Sequence, residues 1–239
     1  MRMIGRTPMF GSCGELDGRG YVVVERLFDT AAVGALIGCA QRCLDTTAAR
    51  RGGVRHVMAQ DPELARLVHD DPMRSLVAGL LSDRAVAIGC TVFDKSSRSN
   101  WLVPWHQDRA IAVNRRADVA GFGPWSIKGG VHHVEPPADV LDRILIVRVH
   151  LDRCDGENGA LRVLPGSHRR GVVSRRPAVD PVDCPVGRGG ALVMRPLLWH
   201  ASPKADQPSH RRVVHVGFAG FELPDPLDWY ERYPLDVSN

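Results

Sequence analysis

Lysine is the scarcest charged residue of this chain: Lys95, Lys128 and Lys204 are the only three among 31 basic residues. Arginine therefore carries the positive charge, scattered along the chain, with Arg169-Arg170 and Arg175-Arg176 close together in one expected loop. A net charge of +4 distributed in this way reads as a solvated surface. No nucleic-acid module signature is present, so no nucleic-acid partner is expected. Also missing is any apolar run long enough for a transmembrane helix, and no membrane association is expected. Met1 to Gly20 lacks an apolar signal core and a cleavage site, which makes the cytoplasm the expected compartment. The six cysteines include one pair a helical turn apart, Cys39 and Cys43, but no second pair to complete a zinc site. Reduced thiols follow for such a compartment. Neither a Gly-x-Ser-x-Gly elbow nor a P-loop occurs, which removes two common enzyme classes.

What is present is an ordinary globular composition, 44% hydrophobic and 24% charged over 239 residues, enough for one substantial core. The N-terminal part reads as helical. After Asp29 or Thr30 as cap, Val33, Leu36, Ile37, Ala40, Cys43 and Leu44 form a 3.6-period stripe. Asp61-Pro62 and Asp71-Pro72 each open a further helix, with proline in the first turn. From Ala85 the texture changes to short β-branched runs: Ala85 to Phe93, Arg143 to Leu151, Ala191 to Met194 and Val213 to Phe218. Glycine and proline punctuate between them, and Ser96 to Pro104 and Asn114 to Pro137 read as long loops suited to lids. The order predicts a mainly β fold with flanking helices, a sandwich or barrel covered on one sheet by a helical layer. One domain over residues 1–239 is expected: a mostly helical part at 1–84, a strand-rich core at 85–220 and a tail at 221–239.

The chemistry-bearing motif is His106-Gln107-Asp108. On an extended strand, residues two apart project from one face, so His106 and Asp108 converge while Gln107 turns away. A distant imidazole would complete two histidines and one carboxylate, the facial triad of non-haem Fe(II) oxygenases. His-x-Asp alone is weakly specific; its surroundings are more so. They comprise Asn100-Trp101-Leu102-Val103-Pro104-Trp105 before the motif, Glu157-Asn158-Gly159-Ala160-Leu161 through Leu164-Pro165-Gly166-Ser167-His168, and Arg195-Pro196-Leu197-Leu198-Trp199-His200.

Together these segments, from about Phe93 to Phe218, resemble the phytanoyl-CoA dioxygenase family of Fe(II)/2-oxoglutarate-dependent oxygenases. The resemblance implies a double-stranded β-helix (a cupin-like jelly roll) and Fe(II) held by His106, Asp108 and His200. It further implies 2-oxoglutarate and O₂ as cosubstrates, with oxidation of a small organic molecule yielding succinate and CO₂. Arg211 matches the family's cosubstrate arginine, and strand alternation puts Arg211 and Arg212 on opposite faces, so a one-residue register error would exchange them. The retained Asp108 points to hydroxylation or a related oxidation, since related halogenases lack this carboxylate. Lys95, Trp105, Gln107, Trp125 and Lys128 are the candidate substrate contacts, being aromatic or polar and close in sequence to the first ligands. His150 and His215 read as structural strand residues, His132-His133 as loop residues, and Ser167-His168 as a turn shaping the site wall. Two other classes stay open at this point: a non-catalytic jelly-roll binding protein, and a metal-dependent hydrolase using the same ligands. The sequence leaves the oligomeric state and the primary substrate undefined.

Overall fold

In the computed structural model, which describes residues 13–46, 53–97, 99–206 and 210–235, helices come first and strands follow. The N-terminal part contains α1 (Cys13–Arg19), β1 (Tyr21–Val24), α2 (Thr30–Thr46), β2 (Val54–Arg55), α3 (Val57–Gln60), α4 (Pro62–Val68) and α5 (Asp71–Leu80). The caps are those the sequence indicates. Asp29 accepts from the Ala32 N–H at 2.8 Å, and Asp61 accepts from the Leu64 N–H at the start of α4. The strand-rich part runs β3 (Val86–Lys95), β4 (Val103–His106), β5 (Ile111–Val113), β6 (Trp125–Lys128), β7 (Val131–Val134), α6 (Ala138–Asp142), β8 (Ile144–His150) and β9 (Leu161–Val163). It continues with β10 (Val182–Cys184), β11 (Ala191–Met194), β12 (His200–Ser202), β13 (Arg211–Ala219) and β14 (Tyr233–Pro234).

These strands build a jelly roll. The major sheet has the order β1-β11-β8-β13-β3-β14, with β2 also pairing β3; the opposing sheet is β10-β9-β12-β4, and β5-β7-β6 form a third. Alternation along the major sheet divides its residues between two environments. Val92, Val149, Val214, Val216 and Phe218 turn outward and are buried against Leu36, Cys39, Leu64, Met73, Leu76 and Val77 of the helices. The other face looks into the barrel. There, the antiparallel register sets Lys95 opposite Arg211, Phe93 opposite Val213 and Thr91 opposite His215. On the other side of β13, Val213 faces His150 and His215 faces Arg148. One face of these three strands is thus apolar and the other rich in cations and imidazoles.

Three segments depart from the sequence reading. The helical part contributes two strands, because Tyr21-Val22-Val23-Val24 is a β-branched run that completes an edge against β11. In the C-terminal tail, Tyr233 and Pro234 pair with β3. Within the expected loop at 114–137, residues 125–134 form a hairpin whose strands β6 and β7 join at Gly129 and Gly130, with φ of 61° and 83°. Two successive left-handed residues fit the two-residue hairpin turn, and glycine reaches that region without a Cβ penalty.

The packing of β13 against the helical layer should govern stability. Phe218→Ala removes a fully buried ring and is expected to cost about 3–5 kcal/mol, read as a lower urea midpoint by circular dichroism.

Candidate metal centre and buried cation site

Strands β4 and β12 lie side by side with His106 directly opposite His200. The two imidazole centroids are 4.2 Å apart. Strand β4 ends at His106, and Asp108 follows with its N–H donating to the Pro196 carbonyl at 2.9 Å. That bond brings the carboxylate back to the rings: Asp108 Oδ1 is 3.5 Å from His106 Nε2, and Oδ2 is 3.6 Å from His200 Nε2. One donor atom from each of the three residues lies within 4.8 Å of the others.

The backbone also selects the tautomers. His106 Nδ1 donates to the Pro104 carbonyl and His200 Nδ1 to the Leu198 carbonyl, each at 2.8 Å. Since only N–H can donate to a carbonyl, the neutral form of each ring carries its lone pair on Nε2, toward Asp108, as metal ligands require. Burial pushes the His200 ring down to about 4, favouring the neutral donor form. Burial alone would raise the Asp108 carboxyl, but His200, His106 and His215 outweigh it and hold the group well below the usual carboxylate range. Asp108 outweighs burial at His106 and raises that ring, so a bound cation would displace its proton; two imidazoles and an ionised carboxylate form a donor set for a divalent metal that leaves coordination positions open.

Gln107 does turn away, and its work is to fasten a loop. Its amide donates to the carbonyls of Leu197 and Gly171 and accepts from the Val173 N–H. Ser167 Oγ accepts from the Trp199 N–H at 2.9 Å, next to His200. The Ser167-His168 turn thus supports the ligand strand.

A second feature lies behind the triad. Lys95, only 2% exposed, donates through Nζ to Ser202 Oγ at 2.7 Å and to the Pro203 carbonyl at 2.8 Å. Arg211, 5% exposed, donates to the same hydroxyl at 3.1 Å and to the Gly159 carbonyl. Ser202 Oγ in turn donates to the Gly159 carbonyl at 2.9 Å. Among the described residues no carboxylate pairs with either cation, and Arg211 Nε is buried without a partner. Gly159 explains the Asn158-Gly159 motif: its φ is 81°, and a Cβ would stand 2.7 Å from the Pro203 carbonyl oxygen. Arg212 turns to the opposite face and forms a fork to Asp152, at 2.9 and 2.8 Å.

A cavity of about 610 Å³ opens at the triad, lined by His106 and Asp108. Ile88, Ile144 and Ile146 give it an apolar side, while His56, Glu231, Arg109, Glu135 and Lys128 line it with charge. Trp105, Gln107 and His215 also reach it. The candidate substrate residues therefore separate. Trp105 and Lys128 line the cavity, Gln107 spends its polar atoms on backbone, and Lys95 belongs to the cation site. Trp125 packs beside the cluster of Ile111, Val113, Val134 and Trp229. His215 is no bystander, since it lines the cavity and bonds Arg148; His133 is a strand residue of β7 that also lines the cavity. The roles of Ser202 and Arg148 escaped the sequence reading, although alternation from His200 would have put Ser202 on its face. Among the described residues the other cluster of potential ligands, Cys39, Asp61 and Glu63, is an ion-pair knot: Arg42 bonds Asp61 at 2.9 Å and Glu63 at 2.8 Å.

Fold and site together define a jelly-roll protein with a two-histidine, one-carboxylate centre. The chain belongs to the phytanoyl-CoA dioxygenase (PhyH) family, which it matches over residues 16–213, within the Fe(II)/2-oxoglutarate-dependent oxygenase superfamily. Solved structures of similar fold include the non-haem α-ketoglutarate-dependent epimerase SnoN from nogalamycin biosynthesis: 17% identity, 87% of this chain and 79% of that one, TM-score 0.68. The non-haem monooxygenase ThoJ aligns at 19% identity over 95% of this chain and 84% of its own, TM-score 0.69. EctD from S. alaskensis, solved with 2-oxoglutarate and 5-hydroxyectoine, aligns at 20% identity over 87% and 74%, TM-score 0.66. At these identities the likeness establishes the fold. No curated protein matches the sequence.

The triad geometry predicts that His200→Ala lowers affinity for a divalent ion by orders of magnitude while the fold survives, since the ring lies outside the three apolar clusters. Anaerobic calorimetry with Fe(II), paired with a thermal melt, checks both halves.

Proposed function

We propose that this protein is an Fe(II)- and 2-oxoglutarate-dependent dioxygenase that oxidises a C–H bond of a small organic molecule, with hydroxylation as the simplest outcome. The observation that carries the reading is the pair of buried cations, Lys95 and Arg211, converging on Ser202 without a carboxylate, beside a facial triad. An unpaired buried charge is costly, and the far carboxylate of a dicarboxylic 2-oxo acid would balance it. The orphaned Arg211 Nε is a donor left over for such a group. A metal-dependent hydrolase would need the triad but not this cation site, and a vestigial binding protein would not need to retain both.

Bound together with O₂, iron and 2-oxoglutarate supply the oxidising power and give succinate and CO₂. The chain's own residues do the rest. His106, Asp108 and His200 would hold the metal on one side and leave the other open. The Arg211 fork and the Lys95 ammonium would hold the distal carboxylate and so orient the cosubstrate in the barrel. The apolar side of the cavity, Ile88, Ile144 and Ile146, would exclude water and present a substrate carbon, while the charged lining would orient its polar groups. Similar folds serve an epimerase, a carbocyclase and a monooxygenase, so this lining would set the outcome here.

The first test is succinate formation from 2-oxoglutarate by Fe(II)-loaded protein under air; a chain that makes none, with or without candidate substrates, is not this enzyme. Arg211→Ala should weaken 2-oxoglutarate binding by about 30-fold to several thousand-fold. Arg211→Lys should recover part of the loss, and Arg212→Ala should bind like wild type. Calorimetry on metal-loaded protein separates the three.

The cation site also predicts a pH dependence. Burial, then Arg211 and Arg148, push the Lys95 ammonium down to about 7. A bound carboxylate favours the charged lysine, so affinity should be greatest below that value and fall as pH rises through it. Lys95→Met should flatten this dependence, and titrations of 2-oxoglutarate at several pH values measure it.

A further inference from the structure

Arg148 is a third buried cation, 9% exposed, whose chemistry the triad and the Lys95–Arg211 pair leave unexplained. It projects into the barrel from β8, opposite His215 in the β8–β13 register. One terminal nitrogen, Nη1, donates to His215 Nδ1 at 2.8 Å, which requires that nitrogen of the ring to be unprotonated. Burial pushes His215 down to about 3, so the acceptor form prevails at neutral pH. Phe93 lies against the guanidinium, with Cζ 5.5 Å from the ring centroid. Arg148 Nε is buried without a partner, as are both ring nitrogens of His150, two residues along the same strand face. Among the described residues no carboxylate forms an ion pair with Arg148. Burial and Arg211 lower it to about 10, which still leaves a cation at neutral pH.

The β8–β13 register puts Arg148 beside His215 on the inward face that also carries Arg211, and His215 lines the cavity together with His106 and Asp108. A dicarboxylic 2-oxo acid spanning from the Lys95–Arg211 pair to the metal would pass this guanidinium and bring its second carboxylate, the one beside the keto carbon, to the metal end. We propose that Arg148 is a further carboxylate-holding residue of the cosubstrate site, bonding the carboxylate next to the keto group, with His215 as the positioning residue that orients its fork. This rests on 2-oxoglutarate being the cosubstrate.

The test uses full-length Fe(II)-loaded protein without oxygen and two probes: 2-oxoglutarate, and 2-oxopentanoate, which lacks the distal carboxylate. Binding is read by calorimetry and by the visible absorption that arises when a 2-oxo acid chelates Fe(II). Arg148→Gln should weaken both probes by about 10- to 100-fold and alter the absorption band, whereas Arg211→Gln should weaken only 2-oxoglutarate. If Arg148→Gln does not fold, Arg148→Lys keeps the charge and carries the test: a smaller loss for both probes supports the proposal, and unchanged affinity overturns it. Loss of Fe(II) affinity with normal binding of both probes at saturating metal would also overturn it, assigning Arg148 to the support of Asp108. A wild type that binds metal but neither probe would remove the cosubstrate reading itself, a failure distinct from an effect confined to Arg211.

Discussion

Positive charge buried without a counter-ion is the constraint around which this molecule is organised. Lys95 and Arg211 face one another across the β3–β13 register, and Arg148 points into the same barrel from β8. Desolvating a cation costs several kcal/mol even after relaxation, and a hydroxyl or a backbone carbonyl only partly offsets that. The surrounding structure does what neutral groups can. Ser202 and the carbonyls of Gly159 and Pro203 surround the first two cations, and His215 with Phe93 brackets the third. What is left over is a demand for negative charge, directed at the interior of the barrel and next to a carboxylate–imidazole triad.

The fold meets both requirements through strand pairing. The outward face of β3, β13 and β8 is valine-rich and packed under the helices, which leaves the inward face free to carry polar side chains. On the opposing sheet, the β4–β12 pair brings His106 and His200 together, and backbone carbonyls two residues upstream fix both rings. Gln107 and Ser167 then tie the ligand strands to the neighbouring loop and turn. The site is therefore held from behind by backbone hydrogen bonds, and its open side is the cavity.

Much of this was legible in the sequence, for identifiable reasons. Strand alternation is local, so the opposite facing of Arg211 and Arg212 follows from spacing alone, whereas β4 ends at His106 and Asp108 reaches the rings through its bond to the distant Pro196 carbonyl. The helix starts at Asp29, Asp61 and Asp71 are likewise local, set by capping side chains and by proline in the first turn. The Gly129-Gly130 hairpin was legible too, since Trp125-Ser126-Ile127-Lys128 and Val131-His132-His133-Val134 flank a two-glycine turn; loop length obscured it. Lys95 stood out by rarity, but its partner Ser202 is 107 residues away, and a contact of that range depends on register. The same holds for Arg148 and His215, 67 residues apart, and for β1, β2 and β14, which are too short to be recognised before the edges they complete are known. Trp125 was drawn toward the cavity by composition, whereas the hairpin turns its ring into an apolar cluster.

The central claim is that metal site and cation site hold two ends of one ligand. Two such sites must be thermodynamically coupled, because a ligand that touches both binds better when both are filled, and the coupling is reciprocal. The most direct measurement is the affinity for 2-oxoglutarate with and without saturating Fe(II), taken anaerobically on the same preparation. The account predicts much tighter binding with metal present and an equal tightening of Fe(II) by 2-oxoglutarate. Equal affinity in both states would mean that the buried cations serve some other anion, and would contradict it.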